Sequence, residues 1–208
     1  MEDCIGEVNL AEFSTAILSG MAKVLKDDTY YVPRIRQSKA FAITELQIAR
    51  YVCKTFGPKT RLLEIGCGFG QLCLLLRAAG FEHVTGIEAH RQVSSLGMLE
   101  HIRSYDRWDV DGLDFLSGTY PTETTVEADV LIAFNVVNSC WYTWKLPEEE
   151  KYKVALPQPH CIIDVRLWWE VREDPKEQQA VVSRIQKEVG LSSAILMYPD
   201  ATLWHFSR

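Results

Sequence analysis

The 208-residue chain has no uncharged stretch approaching the roughly 20 residues that a membrane-spanning helix requires, so no membrane partner is expected. Its first ten residues, with Glu2 and Asp3, lack the basic region and apolar run of a secretory signal, and the chain reads as cytoplasmic. Lysine and arginine form no run able to neutralise a phosphate backbone, and the formal charge is −6; extended nucleic-acid binding is not indicated. Cys4, Cys53, Cys67, Cys73, Cys140 and Cys161 include no CxxC pair and no histidine at metal-ligand spacing. Neither a zinc site nor a disulfide framework is expected, and each thiol reads as a small buried or partly buried group. Internal repeats and low-complexity segments are also missing. What is present is ordinary globular material, 47% hydrophobic and 24% charged, enough to bury one core in a single domain.

Two helices are expected before residue 60. Phe13, Ile17, Met21, Val24 and Leu25 recur at helical spacing between Leu10 and Leu25, and Ala40 to Phe56 forms a second helical stretch that Gly57-Pro58 ends. Residues 1–60 are read as a helical extension on a core spanning 61–208. From Arg61, short apolar runs alternate with helical segments, the signature of βαβ units and a parallel sheet. Strands are expected at Arg61 to Ile65, His83 to Glu88, Asp106 to Val110, Ala128 to Phe134 and His160 to Val165. Helices are expected at Gln71 to Ala79, Val93 to Ser104 and Lys176 to Val189. Ser193 to Tyr198 and Thr202 to Phe206, joined by Pro199-Asp200-Ala201, read as an antiparallel hairpin. The expected fold is α/β: a doubly wound, mostly parallel, seven-stranded sheet with a C-terminal antiparallel hairpin.

The chemistry concentrates after the first strand, in Glu64-Ile65-Gly66-Cys67-Gly68-Phe69-Gly70. A glycine-rich turn between a buried strand and a helix lets the backbone approach a ligand where side chains would collide. The dinucleotide fingerprint GxGxxG would need its third glycine where this chain has Gln71, so nicotinamide binding loses its best support. The pattern is ExGxGxG. With it the chain resembles the class I, Rossmann-like S-adenosylmethionine-dependent methyltransferases, whose first motif is this acid and glycine loop.

The resemblance implies S-adenosyl-L-methionine as the cofactor and places it residue by residue. Glu64, Gly66, Cys67, Gly68 and Gly70 form the loop. Glu88, closing the next strand with Ala89 beside it, is similar in placement to the ribose-binding acid, since one carboxylate can accept from two hydroxyls. Asp111, with Gly112, looks like the acid that follows strand three and meets the adenine amino group; Asp114 reads as the start of a following helical turn, although the two roles could be exchanged. Asn135 ends an apolar strand at the boundary between cofactor and acceptor, and Val136-Val137 departs from the prolines carried by base-methylating enzymes of this fold. Arg34, beside Tyr31, is a candidate partner for the cofactor's carboxylate.

Substrate residues are expected beyond the strand ends, where Trp141, Tyr142, Trp168 and Trp169 could stack on a ring or surround a cation. No histidine is placed as a general base; Tyr142 and Asp164 are weak catalytic candidates. A methyl donor is already activated and needs chiefly alignment. This favours a small-molecule acceptor nucleophilic at neutral pH, an amine, thiol or carboxylate. The alternatives are a protein acceptor and a non-catalytic interaction module of the same fold.

Overall fold

The computed structural model describes residues 38–68, 70–88, 111–117, 126–133, 158–164, 176, 179–180, 182–183, 186–187, 190–196 and 203–208. The expected helices Leu10 to Leu25 and Val93 to Ser104 and the expected strand Asp106 to Val110 lie outside them. Among these residues two helices and seven strands are defined: α1 (Ser38–Thr55), β1 (Arg61–Ile65), α2 (Gln71–Ala78), β2 (His83–Glu88), β3 (Leu113–Ser117), β4 (Val130–Ala133), β5 (His160–Asp164), β6 (Ser193–Leu196) and β7 (Leu203–Ser207). The strands form one mixed sheet in the order β3-β2-β1-β4-β5-β7-β6. The chain divides into two compact units, one of residues 1–61 and 67–124, the other of 62–66 and 125–208.

In the first unit, α1 buries Glu45, Ile48, Ala49 and Val52, a stripe at the three- and four-residue spacing of one helix face. The helix ends where the Thr55 hydroxyl donates to Tyr51 O at 2.8 Å and Gly57-Pro58 stops the ladder. The second helix, α2, is short and buried from Leu72 through Leu76. It closes in a Schellman arrangement: Gly80 N–H donates to Arg77 O at 2.9 Å, and Phe81 N–H to Leu76 O at 3.2 Å, with Phe81 buried against the helix end. Strands β2 and β3 run parallel, Val84 opposite Leu113 and Glu88 opposite Ser117.

Strand β3 occupies Leu113–Ser117, where the sequence patterning predicts no strand. Leu113 and Phe115 are buried and Asp114 between them is exposed, the period-two alternation of a strand with one solvated face. Its start is set at Gly112, whose carbonyl accepts from Val84 N–H at 3.0 Å and whose backbone passes so near Glu82 O that a Cβ would lie 2.1 Å from it.

In the second unit, β1, β4 and β5 are parallel, with Leu63 opposite Leu131 and Ile132 opposite Ile162. All four residues of β4 are buried, as expected of a strand covered on both faces. The antiparallel expectation at the C-terminus holds: β7 pairs with β5 through Ile162 and His205 and with β6 through Ala194 and Phe206. The described positions between 176 and 187 are helical, Val182 is buried, and the turn closes with Gly190 N–H donating to Gln186 O at 3.0 Å. No described helix is long and apolar enough to cross a membrane.

The β5–β7 ladder also brings two histidines together. His160 Nδ1 lies 3.2 Å from His205 Nε2, and His205 is only 6% exposed. One ring donates and the other accepts while both are neutral; two imidazolium rings have only donors to offer. Burial, and secondarily the His160 charge, pull the His205 pKa below its ordinary 6.5. A group with a depressed folded pKa that must stay neutral stabilises the fold fully above pH 6.5 and loses that contribution as the pH falls through the window below it. The melting temperature should therefore drop on acidification from pH 7 to 5, and His205→Phe should flatten the drop. An unchanged pH profile would remove the histidine pair as its cause. Nearby, burial pushes the Cys161 thiol up to about 12, so it is protonated at neutral pH.

Candidate functional site

The glycine loop leaves β1 at Gly66 and enters α2 at Gln71, with Gly66, Gly68 and Gly70 all left-handed at φ 66°, 53° and 75°. Within the first unit it is fastened at both ends. Cys67 N–H donates to Ile87 O at 3.1 Å, tying the loop to β2, and Gly70 N–H donates to Cys67 O at 2.8 Å, closing the turn. Gly70 O then accepts the first helical bond, from Leu74 N–H at 2.9 Å.

Under the loop lies the Phe115 ring. Phe115 pairs across the ladder with Gly86, and an added Cβ on Gly86 would sit 2.7 Å from the ring and 2.8 Å from Cys67 Sγ. A bare strand position thus provides the recess that ring and thiol fill. The ring reaches on to Gly70, where a Cβ would lie 2.1 Å from its tip. Cys67 is consequently a seating residue: its N–H is committed to Ile87 and its sulfur lies over Gly86.

Above the loop the situation is opposite. Among the described residues other than its chain neighbours, none has an atom within 4 Å of a Cβ placed on Gly68. Beside this open space the Gly68 N–H donates to Glu88 Oε2 at 2.8 Å, so the half-buried carboxylate that ends β2 is oriented by the loop itself. Charge-assisted bonds of this kind are about twice as strong as neutral ones and hold the acid in one place. The two features that the sequence analysis set 20 positions apart are joined directly. A backbone edge with room over it, next to a fixed carboxylate at the carboxyl end of a parallel strand, suits a ribose-bearing ligand.

Asp111 and Gly112 are both exposed. Both precede β3 and lie with Glu82 at the amino ends of β2 and β3, the edge opposite Glu88. Six strand residues at about 3.3 Å each put Asp111 some 20 Å from the Glu88 end. The reading of Asp114 is corrected: it is an exposed strand residue opposite Thr85, not the start of a helical turn.

In the second unit, Glu64 is 5% exposed on β1, opposite Ile132, and Asp164 ends β5 opposite Leu203. Ala89, Arg34, Asn135, Trp141, Tyr142, Trp168 and Trp169 lie outside the described residues. His83 and His160 open β2 and β5 at their amino ends. Among the described residues no group of three or more His, Cys, Asp or Glu is placed to hold a metal ion.

Three contributors escaped the sequence reading. Phe115 follows Asp114 in a stretch where no strand is expected, and Gly86 signalled itself only as a glycine inside a strand. The third, Glu45, is a charge on the apolar stripe of α1. The hydrogen-bond network sets the Gln71 amide with its nitrogen toward Glu45, donating to Oε2 at 3.1 Å and Oε1 at 3.2 Å. Gln71, the residue that breaks the dinucleotide fingerprint, thus has a partner of its own.

The mostly parallel seven-stranded sheet with its antiparallel C-terminal pair matches the methyltransferase α/β fold. Solved structures agree. The chain is similar to magnesium protoporphyrin IX methyltransferase (ChlM) from Synechocystis PCC 6803 with bound SAH, at 12% identity and a TM-score of 0.55 over 95% of this chain and 97% of that one. It is similar to the methyltransferase domain of bacterial CtHen1 at 14% identity and 0.54, over 79% and 97%. The 16S rRNA methylase RmtB matches at 14% and 0.55, over 95% and 72%. No protein-family model matches the sequence, and no curated protein matches it.

Proposed function

We propose that the protein is an S-adenosylmethionine-dependent methyltransferase that acts on a small-molecule acceptor. The observation that carries the reading is the Gly68 N–H to Glu88 carboxylate bond beside the open space over Gly68. In this reading Glu88 accepts from the ribose hydroxyls and the Gly66 to Gly70 backbone lies along the amino-acid part of the donor, with Phe115 and Cys67 supporting the loop from below. Glu64, Asn135 and Arg34 remain proposed contacts of the donor. Bound S-adenosylmethionine supplies a methyl group already activated on a sulfonium, so the protein's task is to align the acceptor and exclude water.

The likeness in fold supports the donor and does not choose the acceptor, since the similar structures include a porphyrin methyltransferase and an rRNA methylase. The acceptor is argued from this chain. Two described histidines, His160 and His205, are engaged with each other, and His83 is exposed at an amino end, so none of these three serves as a base at the strand carboxyl ends. An amine, thiol or carboxylate needs no strong base; Trp141, Tyr142, Trp168 and Trp169 would enclose it, with Tyr142 or Asp164 assisting any proton transfer.

Calorimetric titration with S-adenosylhomocysteine is the direct test: micromolar binding is expected, and no binding at millimolar ligand defeats the reading. A subsequent screen of amines, thiols, carboxylates, RNA and proteins with labelled donor identifies the acceptor. Binding without transfer to any of them would support the non-catalytic module instead.

A further inference from the structure

We propose that Glu45 is a positioning residue for the glycine loop, acting through Gln71; the inference rests on that loop being the methyl-donor site. Glu45 takes a position on the buried stripe of α1 that Ile48, Ala49 and Val52 would lead one to fill with hydrocarbon, and it is 8% exposed. A carboxylate so placed is costly unless its oxygens are hydrogen-bonded, and here both accept from the Gln71 side-chain nitrogen.

The place where this pair acts is what gives it consequence. Gln71 is the first residue of α2, and Gly70 before it offers the helix no side-chain cap. The amino end of α2 is thus held laterally, from α1. The loop's other end is held by the Cys67 N–H to Ile87 O bond. Gly68 lies between these two anchors with its N–H on Glu88. Hydrogen-bond strength falls steeply with misalignment, so a displaced first turn of α2 would move Gly70, open the Gly70 N–H to Cys67 O turn, and turn the Gly68 N–H away from the carboxylate. Glu45 touches no ligand in this account. It fixes the geometry in which Gly68 and Glu88 meet one.

The test exchanges the partners in the full-length chain. Gln71→Glu sets two carboxylates against each other; Glu45→Gln combined with Gln71→Glu restores a carboxylate–amide pair with the roles reversed. Two readouts are followed: S-adenosylhomocysteine affinity by calorimetry, and the Gly68 amide resonance in a proton–nitrogen correlation spectrum, which reports the bond to Glu88 without any ligand. Gln71→Glu is expected to weaken binding about tenfold, the scale of one hydrogen bond to a charged group, and to shift the Gly68 amide. The double variant should return both to near wild type, a rescue that a general loss of packing would not give. If Gln71→Glu fails to fold, Gln71→Ala is read on the same resonance. An unmoved Gly68 amide in the folded single variant, or a double variant that restores nothing, overturns the proposal. Wild-type protein that binds no S-adenosylhomocysteine defeats the donor reading instead, while the Gly68 resonance still decides the role of Glu45.

Discussion

Replacing Glu88 by alanine is expected to weaken S-adenosylhomocysteine binding by roughly 30- to 100-fold while leaving the protein folded. Two losses combine. The carboxylate that would accept from the ribose hydroxyls is gone, and because water replaces the lost acceptor the net effect is that of about one hydrogen bond to a charged group, about 1.5–3 kcal/mol. The Gly68 N–H also loses the acceptor that now holds it at 2.8 Å, so the loop edge facing the ligand is no longer fixed. The fold should tolerate the change because Glu88 is half-buried at a strand end, and truncation there opens no cavity in the core. Glu88→Gln separates the two contributions: its amide oxygen can still accept from Gly68, so it should fall between wild type and alanine. Calorimetry on the three proteins measures the series. Affinity within twofold of wild type for Glu88→Ala would mean that the ribose does not lie on this acid.

The parts of this site that could be read from sequence are those whose causes are local. The strands β1 and β2 coincide with the expected Arg61 to Ile65 and His83 to Glu88 because apolar runs bounded by turn residues specify them without outside help. The ExGxGxG spacing likewise needs only the chain itself. The third strand was missed because its evidence is relational: Leu113 and Phe115 alternate with a solvent-facing Asp114, a pattern too short to outweigh the acidic residues around it, and its start depends on Gly112 passing close to Glu82. With β3 at Leu113–Ser117, Asp111 stands at the amino end of that strand, the end opposite Glu88. Glu45 with Gln71, and His160 with His205, were out of reach for a different reason. Each pairing joins residues distant in sequence, and in isolation each partner is an ordinary polar residue on a helix or strand.

The glycines of the loop, alike in sequence, are expected to separate sharply under substitution. Gly70→Ala combines a left-handed φ of 75° with a Cβ that would lie 2.1 Å from the Phe115 ring tip. The backbone conformation alone costs about 1 kcal/mol for a residue with a Cβ. Relieving the overlap requires moving a ring that is itself only 5% exposed and wedged over Gly86, and overpacking of that kind costs about 1–3 kcal/mol more. The total, about 2–4 kcal/mol, corresponds to a fall in melting temperature of roughly 5–15 °C for a chain of this size. Gly68→Ala carries the same kind of backbone cost at φ 53° but meets no atom of the described residues within 4 Å. Its stability should fall by only about 1 kcal/mol, while the added methyl enters the space proposed for the donor and should weaken S-adenosylhomocysteine binding at least about tenfold, because a rigid backbone edge cannot retreat from the clash. Adding Phe115→Leu to Gly70→Ala makes room at the tip of the ring and should recover part of the lost stability, leaving the conformational cost behind. Thermal melts and calorimetry on the four proteins distinguish a glycine required by the protein's own packing from one required by a ligand. If Gly68→Ala binds as well as wild type, the open space over residue 68 is not where the donor lies, even should Glu88 prove essential.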